Sequence, residues 1–345
     1  MHDESAPETL PHNIFGILQS LQRTAALTTA IQLGLFTALS DSGSSTADIA
    51  AHCNASVRGV RVLCDYLCVL GLLQKRLGRY WQTEEAALYL DRRSPHFIGD
   101  AAIQMYAGGP FVEGFQHLTQ AVRTGGTALS SAGSLAPEHP CWVQFALARA
   151  PIGAANGKRL ATLLDSASYG AIRVLDIACG HGHHGIAIAK SNPRAEIFAQ
   201  DWPAVLDVAV GNAREAGVSE RYHTIPGDVF SVSFGERYDM VLITNFLPDF
   251  GPAECEHLLT KIRRALTNDG RAVALQWIPD DDRLSPPTAP SLALSLLAET
   301  PGGDVYTYQE LVEMFRRAGF TRIELRELGP SLQRVVIAQP SRALA

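Results

Sequence analysis

Three aspartates in the second half of the chain each close or follow an apolar run: Asp176 in VLDIACGHGHHG, Asp201 in EIFAQDWP and Asp228 in IPGDVF. Carboxylates at the ends of successive strands are what a nucleoside requires, because ribose hydroxyls and an adenine amino group all donate hydrogen bonds. Between the first two stand Gly180, Gly182 and Gly185, in G-x-G-x-x-G spacing after a strand and at the start of a helix. Glycine there lets the backbone turn tightly and approach a ligand, while the helix N-terminus presents free N–H groups. The glycine pattern alone also fits a nicotinamide dehydrogenase, and each aspartate alone also fits a loop acid or helix cap.

Proton chemistry points to a second stretch, 241-VLITNFLPDF-250, where an apolar strand runs out into polar residues. Pro248 stands where a base is expected, yet proline has no titratable group and no backbone N–H. The remaining candidates are Asp249 beside it, His117 in FVEGFQHL and His139 just before Cys141 and Trp142. Closely spaced imidazoles such as His181, His183 and His184 can share a cation. No matching Asp/His set follows them, so no metal site is expected. The six cysteines form no CxxC pair, which fits reduced thiols.

These groups need elements to hold them. From about residue 170 strands alternate with helices (172–178, 195–200, 222–227, 238–244 and 270–278), the pattern of a parallel sheet covered on both faces. The tail differs: helix 307–320 leads to strands 321–328 and 331–340, joined so closely that they must pair antiparallel. The first half is helical, with a long apolar-periodic stretch over 13–40, a cap at Ser45–Thr46, a helix from Ser56 to Gly71 and a hairpin around Leu77-Gly78-Arg79. Helix, helix, hairpin is a winged-helix order. A net charge of −6, a pI near 6.0 and only Arg58 and Arg61 on the candidate recognition helix argue against nucleic acid. No apolar run reaches the roughly 18 residues of a membrane helix, and a cytoplasmic location is expected.

At these residues the chain resembles the class I S-adenosylmethionine-dependent methyltransferases, specifically the small-molecule O-methyltransferases with an N-terminal winged-helix dimerisation domain. The motifs are VLDIACGHG, QDWP, GDVF, NFLPDF with GPAECEHLLTKIRRAL behind it, and YTYQELVEMFRRAGF. The resemblance implies a Rossmann-like seven-stranded sheet whose last strand is antiparallel, preceded by a mainly helical dimerisation domain. The expected divisions are 1–105 for dimerisation, 106–165 for a helical connector contributing to the acceptor pocket, and 166–345 for cofactor binding and catalysis. It further implies S-adenosylmethionine as cofactor, a small-molecule acceptor and a homodimer. Asp176, Gly180 and Gly182 would line its methionine part, Asp201 would hold the ribose, and Trp202 and Phe230 would flank the adenine. Asp228, with Val229 beside it, would meet the adenine amino group, and Thr244 would sit at the methionine end.

The departure is at Pro248, since family members place a histidine there to take the acceptor's proton, and Gln276 replaces the glutamate that orients it. Methyl transfer from a sulfonium is an in-line displacement, so positioning supplies much of its acceleration and an acidic acceptor needs little base. O-methylation is the leading expectation, with C- or N-methylation and a relative that binds the cofactor without transferring methyl as alternatives. The acceptor pocket is expected from Met105, Tyr106, Phe111, Phe115, Trp142, Phe145, Phe246, Leu292 and Leu296, an apolar set suited to a flat molecule. The glycine-turn histidines are expected to face solvent or pack beside the cofactor.

Overall fold

The computed structural model describes residues 12–130 and 132–340; the acidic stretch 1–11 lies outside them. The chain divides into two compact units, Met1–Ile103 and Gln104–Ala345.

In the first unit, helices begin where short polar side chains satisfy free N–H groups. Ser45 and Asp48 form a reciprocal capping box for Thr46–His52, and the Ser56 hydroxyl accepts from Gly59 N ahead of Val57–Val69. The long apolar stretch is divided into His12–Leu18 and Ser20–Gln32, followed by turns in which Gly34 has φ +65°. Strands β1 (Ser44–Ser45), β2 (Leu73–Arg76) and β3 (Arg79–Gln82) form a small antiparallel sheet in the order β1-β3-β2. The β2–β3 hairpin closes through Leu77 and Gly78, both at positive φ, whose twist matches that of the strands. Ile31, Leu35, Phe36, Ile49, Cys64, Leu67 and Tyr80 form its core.

The second unit is built on seven strands: β4 (Ile172–Ile177), β5 (Ala195–Asp201), β6 (Tyr222–Pro226), β7 (Tyr238–Thr244), β8 (Leu266–Gln276), β9 (Phe320–Glu327) and β10 (Arg334–Pro340). Their order is β6-β5-β4-β7-β8-β10-β9; β4 to β8 are mutually parallel, and β10 is antiparallel to both its neighbours. Successive residues of the central strands serve opposite faces. Leu175, Ile177, Val241 and Ile243 pack one core with Leu258, Ile262 and Phe315, while Val174, Met240 and Leu242 pack the other with Leu160, Ile188 and Ile197. Burial on both faces explains the unbroken apolar run Met240–Ile243 in β7. The chain winds outward through β5 and β6, then returns to β7 on the other side of β4. The crevice at this switch between β4 and β7 is where open sheets of this kind bind ligands. Among the described residues no helix is long and apolar enough to cross a membrane.

Candidate active site

The turn leaving β4 requires its glycines. Ala178, Gly180 and Gly182 lie at φ +46°, +54° and +73°. A Cβ on Gly182 would stand 2.5 Å from Tyr222 Oη, and one on Gly185 would stand 2.9 Å from Asp176 Oδ2. A Cβ on Gly180 would meet nothing within 4 Å, so open space lies over the turn where a ligand could approach the backbone. Asp176 lies beneath the turn, wholly buried; its Oδ2 accepts from Gly185 N at 3.1 Å and its Oδ1 has no hydrogen-bond partner among the described residues. Desolvation pushes its carboxyl up to about 8.

Asp201 joins the glycine turn to the end of β5. One carboxylate oxygen accepts from Gly180 N at 2.8 Å and the other from Trp202 N at 2.7 Å, and burial lifts its pKa to about 6. Each oxygen keeps lone-pair capacity for a further donor, which fits a vicinal diol. Gln200, unremarked in the sequence, ties adjacent strand ends together, donating to Gly227 O at 2.6 Å and accepting from Ala178 N at 3.4 Å. After β6, Asp228 accepts from Phe230 N at 3.0 Å, Val229 is buried, and the Phe230 ring lies between Phe250 and His257 with centroids at 5.0 and 6.2 Å. Lys261 holds this loop from the helix Pro252–Ala265, its Nζ donating to the carbonyls of Val229, Phe230 and Val232 at 2.6, 3.1 and 2.6 Å. A lysine on a helix gives no sequence signal of that role, since its acceptors are main-chain oxygens about 30 residues earlier.

The glycine-turn histidines do not face solvent. His181 and His184 are buried, His183 is half-buried, and the His181 ring stands 5.2 Å from each of the other two. A side chain at Gly153, in the helix Cys141–Leu163, would collide with His181 Nε2 at 2.0 Å, so a gap in that helix makes room for the imidazole. Burial pushes all three pKa values down, that of His184 to about 4, so the rings are neutral near pH 7. Among the described residues no cluster that could hold a metal ion occurs.

At the other side of the crevice, Thr244 closes β7 and is buried. Asn245 follows at φ +54°, held by a buried relay in which Asn156 donates to Gln333 at 2.6 Å and Gln333 donates to Asn245. The next turn, Leu247–Asp249, carries the buried Pro248. Gln276 donates to Ile243 O at 3.2 Å, and its own Oε1 has no hydrogen-bond partner among the described residues. Asp249 meets strong desolvation and a like charge from Glu299, which together push its pKa up to about 8. His139 accepts from Cys141 N at 3.2 Å close by, whereas His117 is exposed at the junction of two short helices.

The apolar candidates fall into three ring groups. Tyr106, Phe111 and Phe115 contact in sequence at 5.3 and 4.8 Å, Trp142 meets Phe145 at 5.8 Å, and Phe246 meets Phe250 at 4.9 Å. Arg149 bridges the first two, 5.9 Å from the Tyr106 ring centre and 5.6 Å from that of Phe145, near His181 and with no carboxylate partner among the described residues. Leu296 is buried and Leu292 half-buried on the helix Thr288–Glu299, and Met105 is half-buried.

Comparison with known proteins bears on the family and the fold. Residues 155–321 match the O-methyltransferase domain model, and residues 15–92 match the O-methyltransferase dimerisation domain. A crystal structure assigned as an O-methyltransferase from Nostoc punctiforme PCC 73102 is 44% identical, with a TM-score of 0.90 over 96% of this chain and 99% of that one. The 3-hydroxy-5-methyl-1-naphthoate 3-O-methyltransferase of Streptomyces sahachiroi is 27% identical over 94% of both chains. Human N-acetylserotonin methyltransferase in complex with S-adenosylmethionine shares the fold, with a TM-score of 0.82 at 22% identity over 97% of this chain and 99% of that one. With its seven-stranded sheet, its glycine turn and both domain models in place, the chain belongs to the S-adenosylmethionine-dependent O-methyltransferases that carry an N-terminal dimerisation domain.

Proposed function

We propose that the protein methylates an oxygen of a small, flat aromatic or enolisable metabolite, as a homodimer, without a histidine base. The observation that carries this reading is the contrast between the two sides of the crevice. The cofactor side offers Asp201, open space over Gly180 and a loop held by Lys261; the acceptor side has Pro248 and three aromatic groups. S-adenosylmethionine, when bound, supplies an electrophilic methyl group on a sulfonium. Asp201 would hold the ribose hydroxyls, Asp228 and Phe230 the adenine, and Thr244 would border the methionine end. Asp176 would act from beneath, fixing the glycine turn through Gly185. Arg149, beside His181 and with no carboxylate partner among the described residues, offers the positive charge that a carboxylate end requires. The rings of Tyr106, Phe111, Trp142, Phe145 and Phe246 would sandwich the acceptor and exclude water.

The test is turnover of a panel of phenols, enolisable dicarbonyls and aromatic amines, with S-adenosylhomocysteine and the methylated product followed by mass spectrometry. Hydroxylated aromatics are expected to react at oxygen, and Pro248→His to extend the range toward weaker acids. A methyl group found on carbon would move the reading to C-methylation, and recovery of intact cofactor with every acceptor would remove methyl transfer.

A further inference from the structure

Three segments far apart in the chain meet in one line of amide groups beside the end of β7. The Arg159 guanidinium donates to Asn156 Oδ1 at 3.0 Å, Asn156 Nδ2 donates to Gln333 Oε1 at 2.6 Å, and Gln333 Nε2 donates to Asn245 Oδ1. Asn156 and Gln333 are 4% and 3% exposed, so neither amide can trade its partner for water. The line runs in one direction only. A guanidinium has donors and no acceptor, so it fixes the Asn156 oxygen, and each amide then passes the same choice to the next. At the far end Asn245 turns its oxygen to Gln333, and its Nδ2 is left with no hydrogen-bond partner among the described residues.

Asn245 stands at the crevice. Ile243 of β7 pairs with Ile177 of β4, which places Asn245 two residues on at the level of the glycine turn, on the same sheet edge as the open space over Gly180. Its N donates to Leu275 O at 2.8 Å, and its φ of +54° is a conformation that asparagine tolerates better than most residues. The residue is half-buried, and Phe246, one of the acceptor-side rings, follows it directly.

We propose that Asn245 holds the acceptor oxygen through its Nδ2 hydrogens, with Gln333 and Asn156 as positioning residues, and that the acceptor binds as its phenolate or enolate. This rests on the methyl-transfer reading above. A hydrogen bond donated to the ionised form favours that form, so a fixed N–H donor selects an acidic hydroxyl where Pro248 supplies no base. The acceptor's proton goes to water on binding. Its oxygen then forms the bond to the methyl carbon as the carbon–sulfur bond breaks, and the bonding pair stays on sulfur as a neutral thioether. The relay matters because a free asparagine could offer either its oxygen or its nitrogen, and an oxygen turned to the same place would repel the anion.

Nitrogen-15 NMR of the side-chain amides in the full-length protein reads the direction of the relay without any acceptor. The Asn245 amide protons are expected to exchange rapidly with water, while those of Asn156 and Gln333 are protected. Asn156→Asp keeps the residue's shape but leaves it only acceptors. Arg159 and Gln333 Nε2 then both donate to it, Gln333 gives its oxygen to Asn245, and Asn245 must turn its Nδ2 to Gln333, where its protons become protected. 4-Nitrophenol, whose anion absorbs visible light, is the acceptor probe. Bound together with S-adenosylhomocysteine it should ionise about one pH unit lower than when free, a roughly tenfold preference for the anion. Asn156→Asp, and Asn245→Gly, which keeps the positive φ, should remove most of that shift with cofactor affinity unchanged. For an acceptor that turns over, both variants should raise KM roughly tenfold with kcat little changed, because the bond is strongest to the anion before transfer. Asn245 protons already protected in the wild type, or a nitrophenol midpoint equal to that of the free probe or unmoved by Asn156→Asp, would overturn the proposal. Weakened S-adenosylmethionine binding by Asn245→Gly would overturn it as well, by giving the amide to the cofactor. If the amide direction and the nitrophenol shift hold while no acceptor is methylated, the donor stands and the methyl-transfer reading fails.

Discussion

Asp201 gives the sharpest prediction, because its environment sets both a pH window and a magnitude. In the free protein its two oxygens accept from Gly180 N and Trp202 N, and burial lifts its pKa from the ordinary 3.8 to about 6. A raised carboxylate favours the protonated folded form, so its contribution to stability is present below the unfolded value and lost as pH rises through about 6. Cofactor binding runs the opposite way, since ribose hydroxyls donate to the ionised carboxylate. The ionised fraction falls from about nine-tenths at pH 7 to about one-tenth at pH 5, so cofactor affinity should weaken roughly tenfold between them and stay flat from pH 7 to 8. Asp201→Asn removes the titration. One amide oxygen must serve where two carboxylate oxygens did, so a charge-assisted bond worth about 1.5–3 kcal/mol is lost, or roughly 10- to 150-fold in Kd. Calorimetric titration of S-adenosylmethionine at pH 5, 6, 7 and 8 reads both effects. Wild-type affinity independent of pH between 5 and 7, or an Asn variant that binds as tightly as wild type, would refute the reasoning.

Lys261→Met should leave three loop carbonyls without their donor and weaken cofactor binding by about tenfold while the circular dichroism spectrum is unchanged, since one interaction of a charged donor is worth about 1.5–3 kcal/mol and part of it is recovered from water. Gly153→Ala places a methyl group on the His181 ring and should cost about 1–3 kcal/mol by overpacking, lowering the melting temperature by several degrees in a thermal scan. The first unit exposes Ile14, Phe15, Ile17, Leu18, Leu21 and Val69, an apolar surface that a second copy would cover. Light scattering at micromolar concentration should accordingly report twice the mass of 37.2 kDa.

The strand order along the chain, the glycine turn and the antiparallel tail were legible in the residues because each rests on local physics. Strands buried on both faces carry continuous apolar runs, as 240–243 does, and a left-handed turn against a neighbouring side chain admits glycine at Gly182. A join as short as that between β9 and β10 leaves only a hairpin. The carboxylates at strand ends were visible for the same reason, since a polar residue closing such a run lies at the sheet's edge. Tertiary structure alone decided what these residues meet. Of the histidines expected to face solvent or pack beside the cofactor, His181 and His184 are buried, and Gly153, about 30 residues earlier, leaves space for the first of them. Lys261 grips a loop that it follows by about 30 residues. Gly303 comes against the backbone of Pro248 and Asp249 although more than 50 positions separate them in the chain. Periodicity and spacing report the forces a residue feels from its own segment; which distant segments it meets depends on how they stack, and that is settled only when the sheet and its covering helices close around it.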